Sequence, residues 1–306
     1  MQKQDFLYYY LENYWLRPEN ALWQALVANI VSKYPPSGSS LDFGCGDGTF
    51  SFICNGGRLS KEFDFFVNVS QPNNLFTGSD IYNTKIDNIN SIGKNAEYII
   101  TTGADYKYNL LEKSSKLKFY KNCVQLNGNN RFPFTDNSFN YIFSNALYWL
   151  NNVKKSLNEF KRIIKKKGIM ILVMLSKDYP KYCFTSKPRG YYKEILSKIN
   201  FNRHQHYKYL VKPNNFEKIL SKTGFSITNK YLLFSKHLVY LEDIGLRPIS
   251  PFLISMANNL DMKIRNEIKY QMVDYFYDLL LPLYKLEKQG IENGKNAIYI
   301  YIIRRN

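Results

Sequence analysis

The clearest chemistry in the chain lies in five residues, Gly44-Cys45-Gly46-Asp47-Gly48. Glycines at this spacing let the backbone turn tightly and let a ligand approach with no Cβ in the way. A helix beginning behind them offers free N–H groups to a carboxylate or phosphate. Two phosphate readings fail. A P-loop needs Gly-Lys-Ser/Thr after the glycines, and Gly48-Thr49-Phe50 has no lysine. A dinucleotide turn wants its third glycine at 49, where threonine stands. A third reading is S-adenosylmethionine, which has no phosphate and whose methionine carboxylate and sulfonium would lie against such a turn. A ligand-free strand-to-helix turn is the remaining one.

Other residues could carry chemistry. The histidines stand at 204, 206 and 237. His204 and His206 could serve as general bases; they lack a carboxylate or third ligand at metal spacing, so no zinc is expected. Cys45, Cys54, Cys123 and Cys183 form no close pair. That usage fits a reduced, cytoplasmic protein. The first residues lack the apolar stretch of a signal peptide. The longest apolar run, Ile169 to Leu175, suits a buried strand and is far below the ~20 residues of a membrane span.

The elements that must position these residues follow from periodicity. Residues 1–37 read as a helical segment, with Leu22, Leu26 and Ile30 at four-residue spacing and Pro35-Pro36 as its end. A domain over 38–306 then opens with a strand at Ser40–Phe43, the glycine turn and a helix from Thr49. Further strands read at Tyr98–Ala104, Asn122–Asn127, Phe139–Ser144, Ile169–Leu175, Phe225–Phe234 and Ala297–Ile303, with helices at 109–117, 153–164 and 216–223. This alternation predicts an α/β fold with a doubly wound, mostly parallel sheet. Two stretches do not fit the alternation and read as insertions, one near 55–96 and a helical one near 236–295 with a break at Arg247–Pro251.

Three segments resemble the class I S-adenosylmethionine-dependent methyltransferases, whose sheet has seven strands. They are Leu41-Asp-Phe-Gly-Cys-Gly-Asp-Gly-Thr-Phe-Ser, Phe132-Pro-Phe-Thr-Asp-Asn-Ser-Phe-Asn-Tyr-Ile-Phe-Ser-Asn-Ala-Leu-Tyr-Trp-Leu, and Ser156 through Gly168-Ile-Met-Ile-Leu. The last keeps one glycine where the family usually has two. The resemblance implies a Rossmann-like fold and S-adenosylmethionine as cofactor, with Asp42, Gly44, Cys45 and Gly46 at its methionine end. It also implies an acid after the second strand that holds the ribose, since a carboxylate accepting two O–H bonds clamps a cis-diol. Asp80 has the shorter spacing from the glycines. Asp105 leaves room for the helix at 109–117 before the third strand, and is the choice here. After that strand the family's usual acid is missing. Asn127 is isosteric with aspartate, so its amide oxygen could take the adenine amine and the Gly128 N–H a ring nitrogen.

On the acceptor side the resemblance puts Ser144 and Asn145 near the transferring methyl, with Tyr148 and Trp149 packing acceptor or sulfonium. His204 and His206 fall between the fifth and sixth strands, where the family places acceptor-binding elements. Arg17 could pair with the methionine carboxylate, with Tyr14 covering the site. A capping arginine is the alternative. The seven basic residues of Lys154–Lys167 alternate with Leu157, Phe160 and Ile164 and read as a solvated helix face.

Charge bears on the acceptor. The chain has 42 Lys+Arg and 25 Asp+Glu, net +17. Residues 1–176 carry +6 and residues 177–306 carry +11. If functional rather than a product of AT-rich codons, that excess points to an anionic acceptor or surface by the C-terminal part. The leading expectation is methyl transfer to an O or N atom of a small molecule or a glycan or lipid precursor. RNA methylation, a non-catalytic interaction protein and a peripheral membrane enzyme are the alternatives. No DNA partner is expected, and no RNA-binding module or Asn/Asp-Pro-Pro-aromatic motif stands in the sequence.

Overall fold

A computed structural model describes residues 5–67, 92–183, 206–288 and 296–306. Its sheet grows outward from β1 (Ser40–Phe43), a strand buried along its whole length. β4 (Ile100–Asp105) and then β5 (Tyr120–Gln125) lie on one side of it. On the other lie β6 (Phe139–Ser144), β7 (Ile164–Leu175), β9 (Ile298–Arg305) and β8 (Phe225–Leu233). The sheet therefore has seven strands, parallel except for β9, which runs antiparallel to both β7 and β8. Counted along the chain within the sheet, the order is 3-2-1-4-5-7-6. The expected doubly wound, Rossmann-like architecture is thus present.

Alternation along the strands divides the core in two. Ile171, Val173, Ile298, Ile300 and Ile302 face one layer, and Met170, Leu172, Tyr299, Tyr301 and Ile303 face the other. The second layer is closed by α5 (Val153–Ile163) and α7 (Pro213–Lys222) through Leu157, Phe160, Phe216 and Leu220. Lys154, Lys155 and Lys161 ride the outer side of α5, the solvated face that the sequence implied. β7 begins five residues earlier than periodicity suggested, because Lys165–Lys167 continue the strand through an irregularity in its pairing with β6.

The first layer is thicker. It holds α1 (Phe6–Tyr14), α2 (Pro18–Val31), α3 (Thr49–Cys54) and the long α10 (Met262–Lys288). α1 and α2 are separate helices, with Pro18 in the first turn of α2, where its missing N–H costs nothing. The break expected at Arg247–Pro251 does not occur. After α8 (Lys236–Tyr240), a π-turn over Leu241–Leu246 and a 3-10 turn over Arg247–Ile249 lead directly into α9 (Ser250–Asn258). Pro248 and Pro251 occupy first turns of their elements, so neither removes a needed hydrogen bond.

The stretch near 55–96 contributes β2 (Arg58–Leu59) and β3 (Ile92–Lys94), an antiparallel pair, and the buried residues Phe63–Phe66. Asp64 ties these to both ends of the helical layer. It accepts from Trp15 Nε1 (3.1 Å), Phe66 N (2.8 Å) and Arg265 Nε (2.8 Å). Lys269 donates to the carbonyl oxygens of Phe63 (2.6 Å) and Lys61 (3.2 Å). Asp80 lies outside the described residues.

Candidate active site

The C-terminal ends of β4, β1 and β6 form one rim. Phe43 pairs with Ala104 on one side and Ser144 on the other. One residue further on, Asp105, Gly44 and Asn145 leave the sheet side by side, at about 4.8 Å per strand. The chain winds outward in opposite directions from this point, and such a switch point is where open α/β sheets bind ligands.

The glycine turn is anchored from the neighbouring strand. Gly44 N and Cys45 N both donate to Ala104 O, at 2.7 and 3.0 Å. Gly46 N donates to Asp105 Oδ2 at 2.9 Å, and Lys107 N donates to its other oxygen at 2.8 Å. The half-buried Asp105 carboxylate is therefore fixed on the rim against the turn. Gly44 and Gly46 both have left-handed φ, +75° and +58°. A Cβ on Gly44 would stand 2.2 Å from Ala146 Cβ, whereas one on Gly46 meets nothing within 4 Å. Gly44 is thus needed for packing, and Gly46 presents the open side. Burial pushes the Cys45 thiol well up, which keeps it neutral beside this turn.

Two residues assigned to the cofactor stand behind the rim instead. Asp42 points into the helical layer opposite to its neighbours Leu41 and Phe43, and is 1% exposed. Ser51 Oγ (2.5 Å) and Tyr120 OH (2.6 Å) donate to its Oδ2. It braces the turn against α3 and β5. Burial raises its pKa to about 6 against those two hydrogen bonds, which lower it, and the Asp105 charge adds to the rise. A raised carboxyl pKa favours the fold below the unfolded value near 4, and that advantage is lost as pH climbs to about 6. Asp42→Asn is expected to flatten this slope, on the order of 3 kcal/mol from the roughly two-unit shift, in melting curves from pH 4 to 7. An unchanged slope would place the titration elsewhere. Ser144 is fully buried, and its Oγ accepts from Ala146 N at 3.2 Å, holding the turn after β6.

The adenine side is held by local hydrogen bonds. Asn127 Oδ1 accepts from Asn129 N at 3.0 Å in an Asx turn, as Asp105 accepts from Lys107 N, which fixes the oxygen and leaves it a second lone pair. Gly128 is buried, and a Cβ there would meet Phe43 and Leu150 at 2.7 Å. Its carbonyl accepts from Ser156 Oγ at 3.2 Å.

Four expected site residues, Arg17, Asn145, Tyr148 and His206, come together on the wall of one cavity of about 200 Å³. Phe50, two residues beyond Gly48, joins that wall to the glycine turn. Arg17 Nε donates to Glu19 Oε1 at 2.8 Å, and Ser250 Oγ donates to the other Glu19 oxygen at 3.1 Å. The Tyr148 and Trp149 rings lie 5.6 Å apart, and His206 meets Trp149 edge-on at 4.4 Å. The imidazole donates to the Trp149 backbone, and Nδ1 is buried with no partner. Burial lowers the His206 pKa, the Trp149 bond partly restores it, and Lys208 lowers it further. The ring is therefore neutral near pH 7, with a lone pair available. His204 lies outside the described residues. His237 is exposed on α8, and Tyr14 is buried against Phe65 (5.4 Å) rather than over the site.

Sequence reasoning missed Trp23, Gln24, Glu19 and Glu242 on the same wall. α2 is apolar nearly all round, so a glutamine within its buried residues was the available signal. The wall's described charged side chains are Arg17, Glu19 and Glu242, with no lysine among them.

Residues 89–172 match the family described as a methyltransferase domain. An uncharacterized protein of Methanocaldococcus jannaschii is 39% identical over 74 residues, 24% of this chain and 31% of that protein, so the chain matches about a third of that relative's length. Among solved structures, the [4+2]-cyclase SpnF superposes with a TM-score of 0.50 at 11% identity, over 93% of this chain and 80% of that one. The plantazolicin methyltransferase BamL, solved in complex with SAH, gives 0.46 at 14% identity, over 95% and 88%. The 3-2-1-4-5-7-6 sheet thus carries, over residues 89–172, a segment that matches a methyltransferase domain.

Proposed function

We propose that the protein is an S-adenosylmethionine-dependent methyltransferase acting on an O or N atom of a small molecule. The observation that carries this reading is the row Asp105–Gly44–Asn145, which leads along the strand ends into the Arg17–His206 cavity. The residues fit the cofactor. The open face of Gly46 admits a ligand against the backbone, and the Asp105 carboxylate beside it can hold a ribose diol. When bound, S-adenosylmethionine supplies an electrophilic methyl group on a sulfonium. The chain's part is alignment and exclusion of water. Phe50, Tyr148 and Trp149 shape the acceptor side, Asn145 orients the acceptor, and His206 Nδ1 takes its proton. Among the described residues the wall has no lysine, which favours a small acceptor over an RNA backbone, held by neutralising its phosphates.

Asp105→Ala is expected to weaken S-adenosylhomocysteine binding by about 10- to 100-fold in isothermal titration, the loss of charge-assisted bonds to two hydroxyls. Unchanged affinity in a folded variant would sink the assignment.

A further inference from the structure

The acceptor cavity has a chemical bias. Three side chains end on it with buried, unpartnered acceptor atoms: Gln24 Oε1, Asn145 Oδ1 and His206 Nδ1. They come from three separate elements, α2, the β6 rim and the segment before α7, yet converge on one space. Gln24 is 8% exposed, and its amide stands in a helix that is otherwise packed against the core. A buried acceptor without a donor costs about 1–3 kcal/mol, so three facing one cavity suit a ligand that brings donors.

The remaining wall is electron-rich as well. Trp23, Tyr148 and Trp149 present aromatic rings, which attract cations. Glu19 and Glu242 add carboxylates, each held by an arginine, Glu19 by Arg17 and Glu242 by Arg247. At about 200 Å³ the cavity is smaller than the roughly 300–1,000 Å³ of drug-sized sites.

We infer that the methyl acceptor is a small primary or secondary amine on a compact apolar or ring-shaped body, its N–H groups shared among Gln24, Asn145 and His206. This rests on the methyltransferase reading above. It narrows the acceptor atom from oxygen or nitrogen to nitrogen, and it replaces the anionic acceptor that net charge alone suggested. In the transfer, the ammonium proton goes to His206 Nδ1 and the nitrogen lone pair forms the new bond to the methyl carbon. The sulfonium sulfur keeps the electron pair of the bond that breaks. Gln24 acts by recognition and does not touch the transferring methyl.

The test uses three probes of one size, benzylamine, benzyl alcohol and benzoate, read by quenching of Trp23 and Trp149 fluorescence with S-adenosylhomocysteine saturating. Benzylamine is expected to bind at least tenfold tighter than either of the others. Gln24→Leu is expected to erase most of that preference while S-adenosylhomocysteine affinity stays within twofold. Equal or better binding of the alcohol or benzoate, no binding of any probe, or an unaffected preference in Gln24→Leu overturns the inference. Those outcomes leave cofactor binding intact. Failure of S-adenosylhomocysteine to bind the unaltered chain would instead strike the methyltransferase reading itself.

Discussion

Gly44→Ala is expected to abolish cofactor binding and to lower the melting temperature by roughly 3–8 °C. Two costs add. An L-residue in the left-handed conformation costs about 1–2 kcal/mol, and Gly44 has φ +75°. The new Cβ would also overlap Ala146 Cβ, 2.2 Å away, and relieving such overpacking costs about 1–3 kcal/mol. Either the glycine turn or the Asn145–Ala146 turn must move, and both walls of the site are disturbed. Gly44→Ala combined with Ala146→Gly removes the overlap but not the strain, so it should recover part of the stability. Gly46→Ala provides the contrast. Its Cβ meets no protein atom within 4 Å, so stability should fall only by the backbone strain, while the ligand's space is filled. Calorimetric scans paired with S-adenosylhomocysteine titrations separate these effects. Normal affinity in Gly44→Ala would mean that the turn does not hold the cofactor.

Much of this arrangement was legible before any coordinates. Strand positions follow from apolar runs, and Asp105 emerges because the chain order leaves Tyr98–Asp105 no other place than beside β1. Other details depend on local geometry that motifs do not show. Asp42 and Ser144 were placed at the cofactor by motif, yet alternation along β1 already sends Asp42 to the opposite face from Leu41 and Phe43. Asn127 was read for its amide, whereas Asn-Gly-Asn after a strand favours a local turn that uses the oxygen first. Pro248 and Pro251 were read as breakers because a sequence does not show whether a proline falls inside a helix or in its first turn.

The acceptor wall was the least legible part. It is assembled from α2, the end of β6 and residues near 206 and 242, which come together only through the sheet order. Net charge says little of this wall for the same reason. A count over residues 177–306 averages over a whole region, while the described part of the wall takes Glu242 from it and no lysine. Among the described residues no helix is long and apolar enough to cross a membrane. The C-terminal helices pack Val273, Phe276 and Leu280 on the layer over α1 and α2 and leave Phe252, Met256, Tyr275 and Leu279 exposed.

The second large effect concerns that layer. Arg265→Met should destabilise the fold by about 3–5 kcal/mol, because it strands Asp64 as a buried, uncompensated charge. Arg265 is 2% exposed, and its guanidinium lies 5.3 Å from the Trp15 ring, so methionine can fill much of the space and volume loss is minor. The Asp64 hydrogen bonds from Trp15 Nε1 and Phe66 N remain, but they do not replace the cation. Lys269 lies in the same region, with its ammonium already bonded to the carbonyl oxygens of Phe63 and Lys61. Burial holds its pKa below the usual lysine value, against the pull of nearby Asp64. Its position makes it a weak substitute for a guanidinium that reaches the carboxylate directly. If unpaired charge is the cause, Asp64→Leu with Arg265→Met should be more stable than the sum of the single effects predicts, by about 1 kcal/mol or more. Urea unfolding of the four proteins in the cycle measures this. Strict additivity would mean that the loss comes from packing around Trp15 and Phe63–Phe66 rather than from the buried pair. In either case the glycine turn lies outside the cluster, so S-adenosylhomocysteine affinity of the folded Arg265→Met protein should stay close to that of the unaltered chain, which separates the scaffold from the site it carries.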